Sequence, residues 1–158
     1  MKTLIAFSSK HGTTRDCANQ VLKTLGESTA IIDLDDKNAI DLYMYDFIII
    51  GTPLYMGKIR ATVKNFIAQN CSLLEQKKIA FFTCGIGQMN EVNKYFNAEV
   101  PETLRNKAAA VAHFGAELRL GKMNFLERFA AKQIMKERKI SPSIDMESIS
   151  KFCREVLT

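Results

Sequence analysis

Residues 8–14, Ser8-Ser9-Lys10-His11-Gly12-Thr13-Thr14, place four hydroxyls, a lysine, a histidine and a glycine in seven positions. The apolar run Leu4–Phe7 precedes them and a helical pattern follows. Hydroxyl donors, a glycine that lets backbone approach a ligand, and the unpaired N–H groups of a helix start together suit one phosphate group. The plainer alternative is a strand–turn–helix in which Ser and Thr act only as caps. Neither G-x-x-x-x-G-K-[ST] nor G-x-G-x-x-G occurs here. That removes a triphosphate loop and a dinucleotide fingerprint, and leaves a single terminal phosphate as the ligand of matching size.

Two further stretches have the same look. Thr52-Pro53-Leu54-Tyr55-Met56-Gly57 combines apolar and aromatic bodies with backbone amides and one rigid residue. Thr83-Cys84-Gly85-Ile86-Gly87-Gln88 carries two glycines that permit close backbone approach. Together they describe a slot for a flat, largely apolar ring with polar edges, tethered by its phosphate. Other chemistries find less support. No His/Cys/Asp/Glu group has metal-ligand spacing, and no Ser-His-Asp or Cys-His arrangement can be argued from spacing. His11 reads as a phosphate contact and His113 as a structural histidine. Cys84 reads as a small filler beside the ring, and Asp33, Asp35 and Asp36 as a solvated acidic run.

These stretches must sit on elements that bring them together. The pattern predicts strands over 2–8, 30–34, 45–51, 78–84 and 108–114, and helices over 13–25, 59–69, 89–97, 124–139 and 146–157. A short helical turn follows Pro101 and reaches Asn106. Strands alternating with helices argue a parallel sheet with right-handed crossovers and helices on both faces. Five strands suit the order 2-1-3-4-5, whose ligand crevice lies at the carboxyl ends of strands one, three and four.

The 158 residues bound one domain with a substantial core, and neither a repeat nor a linker is visible. The N-terminus offers Lys2 and a short strand rather than a signal peptide. Cys17, Cys71, Cys84 and Cys153 form no C-x-x-C pair. Both features predict free thiols in a cytoplasmic protein. The stretch Arg119–Lys139 holds seven basic and two acidic residues, which accounts for the whole net charge of +5. Within it Arg128, Lys132 and Lys136 make a basic stripe at four-residue steps. Phe125, Phe129 and, after a drift of one position, Ile134 make an apolar one. The expectation is a surface helix that docks its apolar face on the domain. The alternative is a helix that meets an acidic partner or anionic headgroups, peripheral at the inner face of a membrane.

The turn after strand one resembles the flavodoxin pattern of an aromatic residue, any residue, Ser/Thr, two residues, Gly, any residue, Thr. Phe7, Ser9, Gly12 and Thr14 match it, while Ala6 is smaller than the preferred residue. Lys78–Gly85 resembles that family's fourth strand and ring loop. The resemblance covers nearly the whole chain. It implies a flavodoxin-like three-layer sandwich binding FMN, with the phosphate on Ser9, Lys10, His11, Gly12, Thr13 and Thr14 and the ring between the 52–57 and 83–88 loops. The flavin would carry the chemistry, with no catalytic side chain and no metal. Gly51–Gly57, Gly115–Arg119, Phe125–Phe129 and Ile134–Lys136 are similar to the menaquinone-dependent protoporphyrinogen dehydrogenase branch. That branch implies a quinone-linked oxidoreductase at a membrane, whose porphyrinogen propionates would suit basic residues.

Two departures bear on this. Ile86 stands where many electron-carrier flavodoxins have Asp, and Tyr55 where a Trp is more usual. With a basic chain and no acidic cluster, the site should penalise an anionic reduced flavin less, which argues against a very low potential shuttle. A flavodoxin-type electron carrier exchanging electrons with a redox protein remains the alternative function. A phosphoryl receiver lacks support, because Ser8-Ser9 and Gly51-Thr52 stand where its acidic residues belong. A nucleic-acid module lacks both motif and stacking aromatics.

Overall fold

The computed structural model describes residues 1–87, 89–117, 120–138 and 143–158. β1 (Thr3–Phe7), β3 (Phe47–Tyr55) and β5 (Lys78–Cys84) form the centre of a parallel sheet, with β2 (Thr29–Asp33) and β6 (Val111–His113) at its edges. The order β2-β1-β3-β5-β6 is the expected 2-1-3-4-5 arrangement of parallel strands, because β4 (Lys58–Ile59) only extends β3 as an antiparallel hairpin. Central strands are apolar without alternation because both faces are covered. Ile5, Phe7, Phe47, Ile49 and Phe82 pack on one side, against Cys17 and Val21 of α1 (Thr13–Leu25) and Ile149 and Phe152 of α6 (Met146–Leu157). Leu4, Ala6, Ile48, Ile50 and Phe81 pack on the other. They meet Val63 and Phe66 of α2 (Ala61–Leu74), Phe96 of α3 (Met89–Glu99) and Leu104 of α4 (Glu102–Lys107).

Three boundaries differ from the sequence reading. β3 continues past Gly51 to Tyr55, so four of the six residues of the expected 52–57 ring loop are strand. Met56 and Gly57 both have positive φ, 53° and 76°, as the tightest two-residue hairpin turns require. The hairpin takes Lys58 and Ile59, so α2 begins at Ala61 rather than at Ile59. It then runs on to Leu74, which is fully buried. β6 is only three residues long. Ala109 and Ala110 still exchange hydrogen bonds with β5, from Ala109 N to Ile79 O at 2.8 Å and from Phe81 N to Ala110 O at 3.0 Å.

Beyond β6 the chain leaves the sheet and comes back to the same place. Gly115 bridges Ile144 and the Asp145 amide donates to Phe114 O at 2.8 Å, so residues 116–143 form an excursion closed at its base. It contains α5 (Phe125–Arg138). Asn124 Oδ1 accepts the Glu127 amide at 2.8 Å and starts that helix.

Candidate functional site

The carboxyl ends of β1, β3 and β5 frame an open cleft with an accessible volume of about 140 Å³. One wall is the turn before α1, where Ser9, Lys10, His11, Thr13 and Thr14 face the space. Ser9 Oγ accepts from the Gly12 amide at 3.0 Å, which curls the turn on itself. Among the described residues, no protein acceptor meets the amides of Lys10, His11, Thr13 and Thr14. Orphan donors at a helix start attract an anion, aided by the helix dipole.

The opposing walls are Pro53, Leu54, Tyr55 and Met56 from the β3 hairpin and Cys84, Gly85 and Ile86 from the end of β5. Gly85 has φ +148°, and a Cβ there would lie 2.5 Å from the Leu54 carbonyl oxygen. A glycine here lets the two loops meet, and Gly85 also lines the cleft. His113 holds the same corner. Its Nε2 donates to Gly85 O at 2.8 Å, so its Nδ1 accepts from Thr83 Oγ at 2.8 Å. Burial lowers its pKa, against the pull of the Gly85 carbonyl. Both nitrogens are thus used as the expected structural histidine would use them.

Thr52, Gly57, Thr83 and Gly87 do not line the cleft, and Gly12 supports it from behind. The Thr52 hydroxyl accepts from the Arg60 amide at 3.2 Å, and Gly57 lies against the Tyr95 ring. Gln88, expected in the ring loop, falls outside the described residues. Cys84 is buried and shares a hydrogen bond with Cys17. That bond and burial hold its thiol well above the usual range, so no thiolate faces the cleft.

Two residues of the acidic run do more than meet solvent, although Asp35 stays exposed. Asp35 accepts from Ser8 Oγ at 2.7 Å and Thr62 Oγ at 2.9 Å, with Arg60 Nη2 at 3.4 Å. Arg60 Nε donates to Ser8 Oγ at 2.6 Å. Burial works to raise the Asp35 pKa, but the hydroxyls and Arg60 outweigh it and the net shift is downward. Asp33 pairs with Arg15. This network fixes Ser8 behind the turn and sets the Arg60 guanidinium at the cleft, a position the sequence reading missed.

The larger omission is α5. Its Glu127, Ala130, Ala131 and Ile134 line the cleft together with Met123, Ala116 and Glu117. Glu127 Oε2 lies 2.7 Å from His11 Nε2 and 3.3 Å from Lys10 Nζ. Lys10 Nζ also sits 4.3 Å from the Tyr55 ring centroid, across the cleft. Burial acts to raise the Glu127 pKa, and the hydrogen bonds from His11 and Lys10 overcome it, so the carboxylate titrates below its ordinary range. The His11 side chain thus faces a carboxylate, while its amide is among those open to the cleft. Of the expected apolar docking face only Ile134 turns inward, because Phe125 and Phe129 point into solvent. With Glu117 and Glu127 on its wall, the cleft carries acidic groups that the sequence reading did not foresee.

A doubly wound parallel sheet with its cleft at the switch point, hydroxyls and free amides at one end and apolar walls at the other, defines a flavodoxin-like α/β protein. The flavodoxin domain model matches residues 4–145, and the chain belongs to that family. Protoporphyrinogen IX dehydrogenase [quinone] of Escherichia coli strain K12 is similar at 25% identity, over 99% of this chain and 94% of that protein. Oxidised flavodoxin 1 of Bacillus cereus superposes with a TM-score of 0.56 at 19% identity, covering 89% of this chain and 100% of that one. A flavoprotein of Lactobacillus acidophilus NCFM, solved in complex with FMN, gives 0.55 at 20% identity, over 71% and 92% of the two chains.

Proposed function

We propose that this protein binds FMN in the cleft and is an FMN-dependent oxidoreductase, of the quinone-linked protoporphyrinogen dehydrogenase type. The observation that carries the reading is the set of free amides at Lys10, His11, Thr13 and Thr14, set at one end of an apolar slot. Ser9, Thr14 and those amides would hold the phosphate. Pro53–Met56 and Cys84–Ile86 would flank the ring. Bound flavin supplies two-electron chemistry with one-electron capacity.

The chain's own residues bind, orient and exclude water. Tyr55, Met56, Ile86 and Ile134 keep the slot apolar, and α5 screens it from one side. Lys10 and Arg60 are the cations at the cleft that carboxylates of a porphyrinogen substrate would meet. The similarity to the Escherichia coli quinone enzyme supports this substrate pair.

The exposed cations of α5 also suit a flavodoxin-type electron carrier that docks on an acidic redox protein. Turnover separates the two. Purified yellow protein should oxidise protoporphyrinogen IX with menadione as acceptor. Absence of turnover together with rapid one-electron exchange with a redox protein would establish the carrier instead. Failure of the apoprotein to bind FMN would remove both.

A further inference from the structure

The turn before α1 offers two kinds of donor, and the chain uses only one of them. The amides of Lys10, His11, Thr13 and Thr14 meet no acceptor among the described residues. The side chains of the same turn are already held by the 116–143 excursion. Glu127 Oε2 lies 2.7 Å from His11 Nε2 and 3.3 Å from Lys10 Nζ, and Thr13 Oγ donates to Glu117 O at 3.2 Å. Lys10 also reaches the Tyr55 ring, 4.3 Å from its centroid, so the clasp ties α5, the turn and the β3 hairpin into one closed arrangement. Lys10, His11 and Thr13 all face the cleft. An anion seated on the open amides would draw on these same nitrogens and this hydroxyl. The group that now holds the two nitrogens is itself an anion, with a side chain only 11% exposed.

We infer that Glu127 serves the turn as an internal anion which a phosphate monoester displaces, so that filling the turn unlatches α5 from the cleft. A carboxylate and a phosphate beside it repel, and both need the donors of His11 and Lys10. The phosphate has the advantage, because it carries more charge and meets the backbone amides as well. The two events are then coupled in both directions. Closure of α5 weakens phosphate binding, and bound phosphate weakens closure by the same factor. Release of Glu127 also frees Lys10 for the carboxylate of a substrate. That last consequence rests on the function proposed above, whereas the exchange of anions needs only the turn and the clasp.

The test follows amide exchange in residues 125–138 of the full-length chain stripped of flavin, at fixed pH and ionic strength, with exchange in β3 as the reference for intact folding. Inorganic phosphate, FMN, riboflavin or sodium chloride is added. A ligand that binds only the unlatched form, at ten times its dissociation constant, raises opening about tenfold. Exchange in α5 should therefore quicken about tenfold with FMN or inorganic phosphate and stay unchanged with riboflavin or chloride. A response to FMN alone would make the flavin's own phosphate the natural occupant, and a response to inorganic phosphate alone would make it a free phosphate. In Glu127→Gln the helix should already exchange fast, and phosphate should add little. The same variant should bind FMN about tenfold tighter, with riboflavin affinity nearly unchanged, by fluorescence titration. Three results would overturn the proposal: exchange in α5 unmoved or slowed by bound FMN and by inorganic phosphate, an equal response to FMN and riboflavin, or FMN affinity unimproved in Glu127→Gln although the native chain binds FMN. Tight FMN binding with α5 unmoved would leave the cofactor reading intact. Unlatching by inorganic phosphate, lost in Glu127→Gln, in a chain that takes up no FMN would do the reverse.

Discussion

Replacing Glu127 by Gln tests how α5 is held over the cleft. Glu127 is only 11% exposed, and it accepts from His11 and Lys10 at once. A partly buried charge-assisted hydrogen bond contributes about 1.5–3 kcal/mol, and an exposed pair about 0.2–1 kcal/mol. The His11 contact belongs nearer the first range and that of Lys10, 35% exposed, nearer the second. Gln keeps an acceptor oxygen, so the net loss should be about 1–1.5 kcal/mol, roughly a tenfold rise in the opening of the helix. The inner face otherwise offers two alanines and one isoleucine, too little to hold the helix alone. Hydrogen exchange in residues 125–138 should therefore accelerate about tenfold, with the global unfolding midpoint nearly unchanged. The sign with pH follows from the lowered Glu127 pKa. Its contribution is complete above the ordinary glutamate range and is lost as pH falls through the lowered value. Once the intrinsic slowing of amide exchange at low pH is divided out, acidification should lower the protection of residues 125–138 in the native chain and not in the variant. Equal exchange rates at neutral pH would show that the Glu127 contacts do not hold the helix.

Two other expectations concern the cleft walls. Thr14→Ala should weaken FMN about tenfold to a hundredfold while riboflavin binding changes little, by fluorescence titration of the apoprotein. Equal losses for both would contradict a phosphate on this turn. Gly85→Ala should cost about 2–3 kcal/mol in thermal unfolding, because φ is +148° and the new Cβ would lie 2.5 Å from Leu54 O.

Much of this architecture could be read from the chain, because unbroken apolar runs mark strands covered on both faces. Ile48–Ile50 and Ile79–Phe82 are both of that kind. The turn before α1 was legible as well, since it depends on local chemistry: hydroxyls, one glycine and a helix start. What remained hidden depends on distance in sequence. Asp35 and Arg60 meet Ser8 across 27 and 52 positions, and nothing in a local acidic run announces that. α5 was misread for a clearer reason. Phe125 and Phe129 mark one face at a four-residue step, while Glu127, Ala130, Ala131 and Ile134 mark another at steps of three, four and seven. Size favours the first, but a helix crossing close over a cleft needs small side chains beneath it. The β3 hairpin was masked because Met56 is an unusual residue for a positive φ.

The bridge between Gly115 and Ile144 has a consequence for how such a protein can change. Its two ends already touch, so a short splice could replace everything between them without stretching the strand before or the helix after. The sheet would fold as before and the pocket would merely lose its roof. That segment can accordingly be exchanged, lengthened or shed in evolution as a cassette, retuning what the flavin site meets while the scaffold beneath stays the same.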